Sequence, residues 1–274
     1  MRKRLLKTMT VILLISLLWG LNVYAGEESS TPFLEEKKQV LLEKGMECDE
    51  IDKFHPNIIC HIYDVVVSEH VDHIEVLKES HILDIKREEE NRAIIPTTKL
   101  KVNSYTINYA DETGMITGCD VNIRYEWLES PITKQTDVLT LNWDPELFKF
   151  SGYMSGYNAV KNSTDGMEDF YNFMEEASLT STSGIGWYTE LVSPNIPVDI
   201  QTGQTGEFYI SLEPSNEFYA QDNIVSFFKF NYYHNIGTEI ILEEINGEIT
   251  ATAIDNNMDT YSRRIAYASK VIND

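Results

Sequence analysis

Between Val121 and Trp127 every second residue is large and apolar: Val121, Ile123, Tyr125 and Trp127 alternate with Asn122, Arg124 and Glu126. A period of two sends the two sets to opposite faces of a strand. Burying four such side chains is worth about 1.5–3 kcal/mol each, a sum comparable to the ~5–15 kcal/mol stability of a whole domain. The row therefore reads as a wall of the core rather than an open aromatic platform. Alternation, aromatics and turn residues predict further strands at 100–107, 137–143, 186–192, 207–212, 224–233, 238–245, 248–254 and 262–272.

The sharpest local signal is EEINGEIT, in which Asn246-Gly247 is the preferred pair for a two-residue type I′ hairpin turn. Counting outward pairs Glu244 with Ile249, Leu242 with Ala251 and Ile240 with Ala253. The apolar members share one face, so the register itself puts that face on a core. Two-faced strands joined by Gly, Asn and Pro turns point to a sandwich, with a barrel holding a small cavity as the alternative.

Ahead of the strands the period changes. Thr31-Pro32 supplies an N-cap and a first-turn proline, Phe33, Leu34, Val40 and Leu41 follow at helical spacing, and Gly45 stands where a helix ends. The spacing predicts a helix over 32–44, a short turn in CDEIDKF, and a second helix restarting at His55-Pro56 with the stripe Ile58, Ile59, Ile62, Val65 and Val66. The fold class is α+β: a small N-terminal helical hairpin followed by an antiparallel β-sandwich. The expected division is 1–25 signal peptide, 26–67 hairpin, 68–98 charged connector including KREEENR, and 99–274 sandwich.

The signal peptide is read from Arg2, Lys3, Arg4 and Lys7, an apolar run from Val11 to Leu21, and Val23-Tyr24-Ala25 before the acidic Gly26-Glu27-Glu28. That run is shorter than the ~20 residues that cross a bilayer, so cleavage after Ala25 is expected, with no stable membrane insertion afterwards. The product would be secreted, extracellular or loosely associated with the cell wall. The chain carries a net charge of −22, and −26 without its first 25 residues, with 18 Lys and Arg against 44 Asp and Glu. A polyanion without a basic patch lacks the means to neutralise phosphates, which excludes nucleic acid as a partner.

The segments LLEKGMECDEIDKF, RYEWLESPITKQTDVLTLNWD, GIGW and FNYYHN resemble, in that order, a loose group of uncharacterised secreted proteins of Gram-positive, spore-forming bacteria. The resemblance implies an exported protein with a small helical segment and a β-rich C-terminal region. It implies no activity or cofactor, and carries over no site residue. The three cysteines depart from the group's habit.

Candidate chemistry is sparse. Cys48 and Cys60 are a candidate disulfide, leaving Cys119 free. His70 and His73 in EHVDH, with His81, are a candidate metal set if the segment is helical. Acidic loops at 165–169 and 255–260 are candidate calcium ligands, though the second lacks the glycine and glutamate of an EF-hand. Trp187 and Tyr188, in the glycine-flanked GIGWYTE, are candidate ligand-binding residues through aromatic stacking. No nucleophile turn or phosphate loop is present, and no cofactor is implied. The expectation is a non-enzymatic secreted protein that acts as an extracellular binding or interaction module toward a partner outside the cell or in its wall. A secreted hydrolase acting on cell-wall or polysaccharide material is the alternative.

Overall fold

A computed structural model describes residues 30–68, 71–78, 93–96, 98–131, 133–222 and 224–269. The segment read as a signal peptide, most of the charged connector, and His70 and His81 lie outside these residues. The chain divides after Ser68 into two compact units.

The first unit holds helices α1 (Ser30–Glu43), α2 (Cys48–Ile51) and α3 (Pro56–Ser68). Gly45 stops α1 in the left-handed region at φ 108°, and the Met46 N–H returns to the Leu41 carbonyl at 3.1 Å. Glu47 caps α2 in a reciprocal box with Glu50, and Pro56 opens α3, where its missing N–H costs nothing. Leu41, Ile51, Ile58, Ile59, Ile62 and Val66 are buried. Phe33, expected on the buried stripe, is exposed. It and Tyr63 instead flank the buried Lys37 ammonium at 4.8 and 4.6 Å, which Asp64 pairs at 3.1 Å.

The candidate Cys48 to Cys60 disulfide is not formed; both are free thiols on different helices. Cys48 is exposed, with its Sγ turned to Asp52 one helical turn on at 3.9 Å.

The second unit is built of strands β1 (His73–Lys78), β2 (Ala93–Ile94), β3 (Leu100–Ala110), β4 (Ile116–Trp127), β5 (Thr136–Asn142), β6 (Phe148–Asn162), β7 (Glu168–Met174), β8 (Leu179–Thr180), β9 (Gly184–Glu190), β10 (Gln201–Pro214), β11 (Val225–Asn235), β12 (Ile240–Ile245), β13 (Glu248–Ala253) and β14 (Met258–Ala268). They form two six-stranded sheets, ordered β1-β3-β4-β10-β6-β7 and β2-β14-β11-β5-β9-β8, with β12-β13 as a separate hairpin. Among the described residues every pairing is antiparallel except β2 with β14. The architecture is sandwich-like.

One core joins the sheets. Val121, Ile123, Tyr125 and Trp127, with Phe208 and Ile210, meet Leu139, Leu141, Trp187, Phe230 and Tyr232 of the second sheet. Tyr125 is 0% and Trp127 5% exposed, so the alternating row is a wall. The hairpin pairs Glu244 with Ile249, Leu242 with Ala251 and Ile240 with Ala253, as the turn chemistry predicts, with Asn246 and Gly247 at φ 53° and 89°.

Three parts of the sequence reading need correction. The segment 68–98, read as a charged connector, contributes an edge strand, because β1 pairs with β3 from His73↔Ala110 onward, while its run KREEENR lies outside the described residues. β6 and β7 were not expected: FKFSGYMSGYNAVKN mixes tyrosine, glycine and serine without clean alternation, and β6 has register shifts against both neighbours. The polar set of β4 is not all solvated either. Asp120 and Asn122 are buried, Asp120 accepting from the Tyr109 and Tyr209 hydroxyls and Asn122 donating to Glu207 at 3.1 Å.

Candidate functional site

Along β11 the inward positions are Phe228, Phe230, Tyr232 and His234, an apolar row that turns polar at its last member. The same parity on β5 ends at Asp137, and the β11–β14 register sets Asp259 directly across from His234. Asp137 pairs in turn with the buried Thr189 on β9. Adjacent strands thus line up Asp259, His234, Asp137 and Thr189 at one end of the core. A strand face that would otherwise be hydrocarbon carries titratable groups there.

Asp137 is completely buried and fully employed. It accepts from the Tyr232 hydroxyl at 2.6 Å, the Asn235 N–H at 2.9 Å, and His234 Nδ1 at 3.0 and 3.1 Å. Burial pushes its carboxyl above the usual range, while His234, Tyr232 and the Asn235 N–H pull it back. Tyr232 also accepts from the Trp127 indole N–H at 3.1 Å, which extends the chain of hydrogen bonds into the first sheet. An ionised carboxylate only accepts, so the contact with Asp137 uses a proton on His234 Nδ1 and fixes the orientation of the ring. The Trp127 ring lies edge-on to the imidazole at 5.0 Å.

His234 forms part of the wall of a cleft of about 380 Å³. The first sheet and its adjoining loops contribute Lys99, Trp127, Glu129, Ser130 and Thr133, and the second contributes His234 and Asp259. Burial raises the Asp259 carboxyl, opposed by the charges of His234 and Lys99. Its Oδ1 is shut off from solvent with no hydrogen-bond partner. Chemically, this arrangement offers an oriented imidazole, two carboxylates and one ammonium. The Ser130 Oγ in the wall donates to Gln204 Oε1 at 3.2 Å.

The residues singled out from sequence lie elsewhere. Trp187 is fully buried and packs on Phe208 with ring centroids 5.0 Å apart, so its faces are not open for stacking. Tyr188, the next residue on β9, is 38% exposed and accepts the Leu242 N–H at 3.1 Å. It lines a separate groove of about 470 Å³ with Gln135, Thr136, Asn235, Thr238 and Glu239. His73 opens a strand, so the helical spacing on which the His70, His73 and His81 set depended does not hold at His73. Among the described residues no cluster of three His, Cys, Asp or Glu side chains has metal-binding geometry. The acidic loops spend carboxylates on their own turns: Asp165 accepts the Met167 N–H and Asp255 the Thr238 and Asn257 N–H groups.

Asp137, His234 and Asp259 were not found from sequence. Asp137 and His234 are 97 residues apart, and no local motif joins them. The available signal was parity: a histidine two places after Tyr232 on an inward row.

No protein-family model and no curated protein matches the chain. Among solved structures, it is similar to the C-terminal domain of the Streptococcus agalactiae AgI/II polypeptide BspA, at 9% identity and TM-score 0.30 over 69% of this chain. A second is described for Streptococcus parasanguinis Fap1 fimbriae and the modulation of adhesion by pH, with 11% identity and TM-score 0.30, covering 71% of this chain and 94% of that one. A third is AvmM, which catalyses macrocyclisation in alchivemycin A biosynthesis, with 8% identity and TM-score 0.29, covering 69% and 96%. The chain spans 48% of the length of the Streptococcus agalactiae domain.

Proposed function

We propose that this is a non-enzymatic protein of the cell exterior, in which a helical hairpin is attached to a β-sandwich that takes its partner at the end cleft. The observation that carries the reading is the cleft itself: charged and polar groups from both sheets converge on about 380 Å³, and the Ser130 hydroxyl in its wall is committed to Gln204. The basic-then-apolar N-terminus supports export, and among the described residues no helix is long and apolar enough to cross a membrane. The test is a pull-down from cell wall and culture fluid with residues 26–274. A partner retained by this chain and lost when Lys99 and Glu129 are both alanine supports the reading; equal retention by the double variant removes the cleft from it.

The Asp137 and His234 pair favours a second reading, a secreted hydrolase of wall or polysaccharide, since an oriented imidazole is a competent general base. Release of soluble fragments from purified wall by the wild-type chain, abolished in His234→Ala, would replace the binding proposal.

A further inference from the structure

We infer that the groove beside Tyr188 binds a neutral sugar ring, stacked on Tyr188 and hydrogen-bonded by Asn235, Gln135 and Glu239. This site is additional to the end cleft.

The two sites diverge at consecutive residues of β11. Alternation turns His234 toward the cleft and Asn235 to the outer face of the second sheet. On that face the β12–β13 hairpin lies against Val138 and Tyr233 through Ile240. Between the face and the start of the hairpin is the groove of about 470 Å³, within the ~300–1,000 Å³ usual for small-molecule sites.

Asn235 supplies the main argument. It is 4% exposed, its backbone N–H is held by Asp137, and its Oδ1 accepts the Gly237 N–H at 3.0 Å. Among the described residues its Nδ2 has no hydrogen-bond partner, yet it is not sealed from solvent as the Asp259 Oδ1 is. An amide whose plane is fixed and whose N–H2 is unspent offers a donor to whatever enters the groove. Tyr188 is also held in place. Its hydroxyl accepts the Leu242 N–H at 3.1 Å, which tethers the ring and leaves it as an apolar wall. Gln135 and Glu239 are exposed in the same lining.

The groove thus presents a donor N–H2, an amide that donates and accepts, a carboxylate and one aromatic ring, with no lysine or arginine. An anion has no positive charge to meet there. A cation could pair with Glu239 but would set its own donors against the Asn235 N–H2. A sugar ring has hydroxyls that both donate and accept, and a C–H face that covers an aromatic ring, so it uses all four groups.

The experiment titrates ¹⁵N-labelled residues 26–274 separately with an N-acetylglucosamine trimer, cellotriose and agmatine. Saturable shifts of the Tyr188 amide and the Asn235 N–H2 are expected with at least one of the sugars and not with agmatine. Tyr188→Ala should weaken sugar binding about tenfold, whereas Tyr188→Phe, which gives up the Leu242 contact and keeps the ring, should bind as wild type does. Glu239→Ala, an exposed change that leaves the fold intact, should weaken binding by a similar factor. Sugar binding should persist when Lys99 and Glu129 are both alanine, so failure of the end cleft and failure of this groove are read separately. The inference is overturned if neither sugar gives a saturable shift, if agmatine alone does, or if Tyr188→Ala or Glu239→Ala binds as wild type does. It is equally overturned if Tyr188→Phe loses as much as Tyr188→Ala, or if the Lys99 and Glu129 double variant loses the sugar.

Discussion

Asp120 lies beneath the Tyr109 and Tyr209 hydroxyls, completely buried, and burial lifts its carboxyl to about 6 despite the donors around it. The folded chain holds this proton more tightly than the unfolded chain, whose carboxyl has the ordinary value of 3.8. The resulting stability is fully present below that value and is lost as the pH climbs through about 6. In Asp120→Asn this pH-dependence should disappear, and thermal melts of the two proteins should diverge by up to about 3 kcal/mol between pH 4 and 7.5. His61 on α3 has the opposite sign: burial holds its imidazole at about 4, so its contribution is lost as acid is added below the ordinary 6.5. The comparison between Asp120→Asn and wild type isolates the carboxylate from this background. Asp137 differs again, because its cost is met by partners. Asp137→Ala strands the Tyr232 hydroxyl and the Asn235 N–H in the core, and urea unfolding should show a loss of about 3–5 kcal/mol. Asp137→Asn, which keeps an acceptor oxygen, should lose less.

Among the elements, the β12–β13 hairpin was the most legible, since Asn246-Gly247 fixed the turn and the turn fixed the register. Gly247 is at φ 89°, and the Ser181 and Ser183 hydroxyls both donate to its carbonyl. Gly247→Ala should therefore cost about 1 kcal/mol, read as a lower urea midpoint with an unchanged slope. What the sequence did not reveal is how the hairpin is seated. A Cβ on Gly186 of β9 would come within 2.6 Å of Leu242 and 2.8 Å of Ile249, so the glycine is the recess that admits the hairpin. Gly186→Ala should displace it, increasing amide exchange along β12 and β13 while the core strands β4 and β10 stay protected. β4 and β5 were legible from apolar residues at every second position, although both are buried over much of both faces; β6 was not, because its tyrosines, glycines and serines do not alternate apolar with polar.

For the molecule as a whole, patterning pointed to a β-rich, sandwich-like fold and left the cleft unread. Two faced sheets follow from the sum of many inward apolar positions, which any one strand reveals by itself. The cleft follows from which strand ends meet, and that depends on the order β14-β11-β5-β9, which no single segment encodes. The H-x-x-H reading needed helical spacing, and His73 instead opens β1, whose neighbour is set by long-range pairing with β3.

The short β2 run has a mechanical consequence. It is hydrogen-bonded to β14 beside Asp259, the Ile95 N–H donates to the Thr260 carbonyl at 2.8 Å, and by Leu100 the chain has entered β3 of the opposite sheet. Residues 95–96 and 98–100 thus act as a clasp across the mouth of the sandwich, with Ile95 and Lys99 in the cleft wall. A guest lodged there would fasten the two layers together. Slower deuterium uptake at Ile95 and Leu128, whose N–H groups anchor either side of the clasp, would register its arrival without any change in the strands themselves.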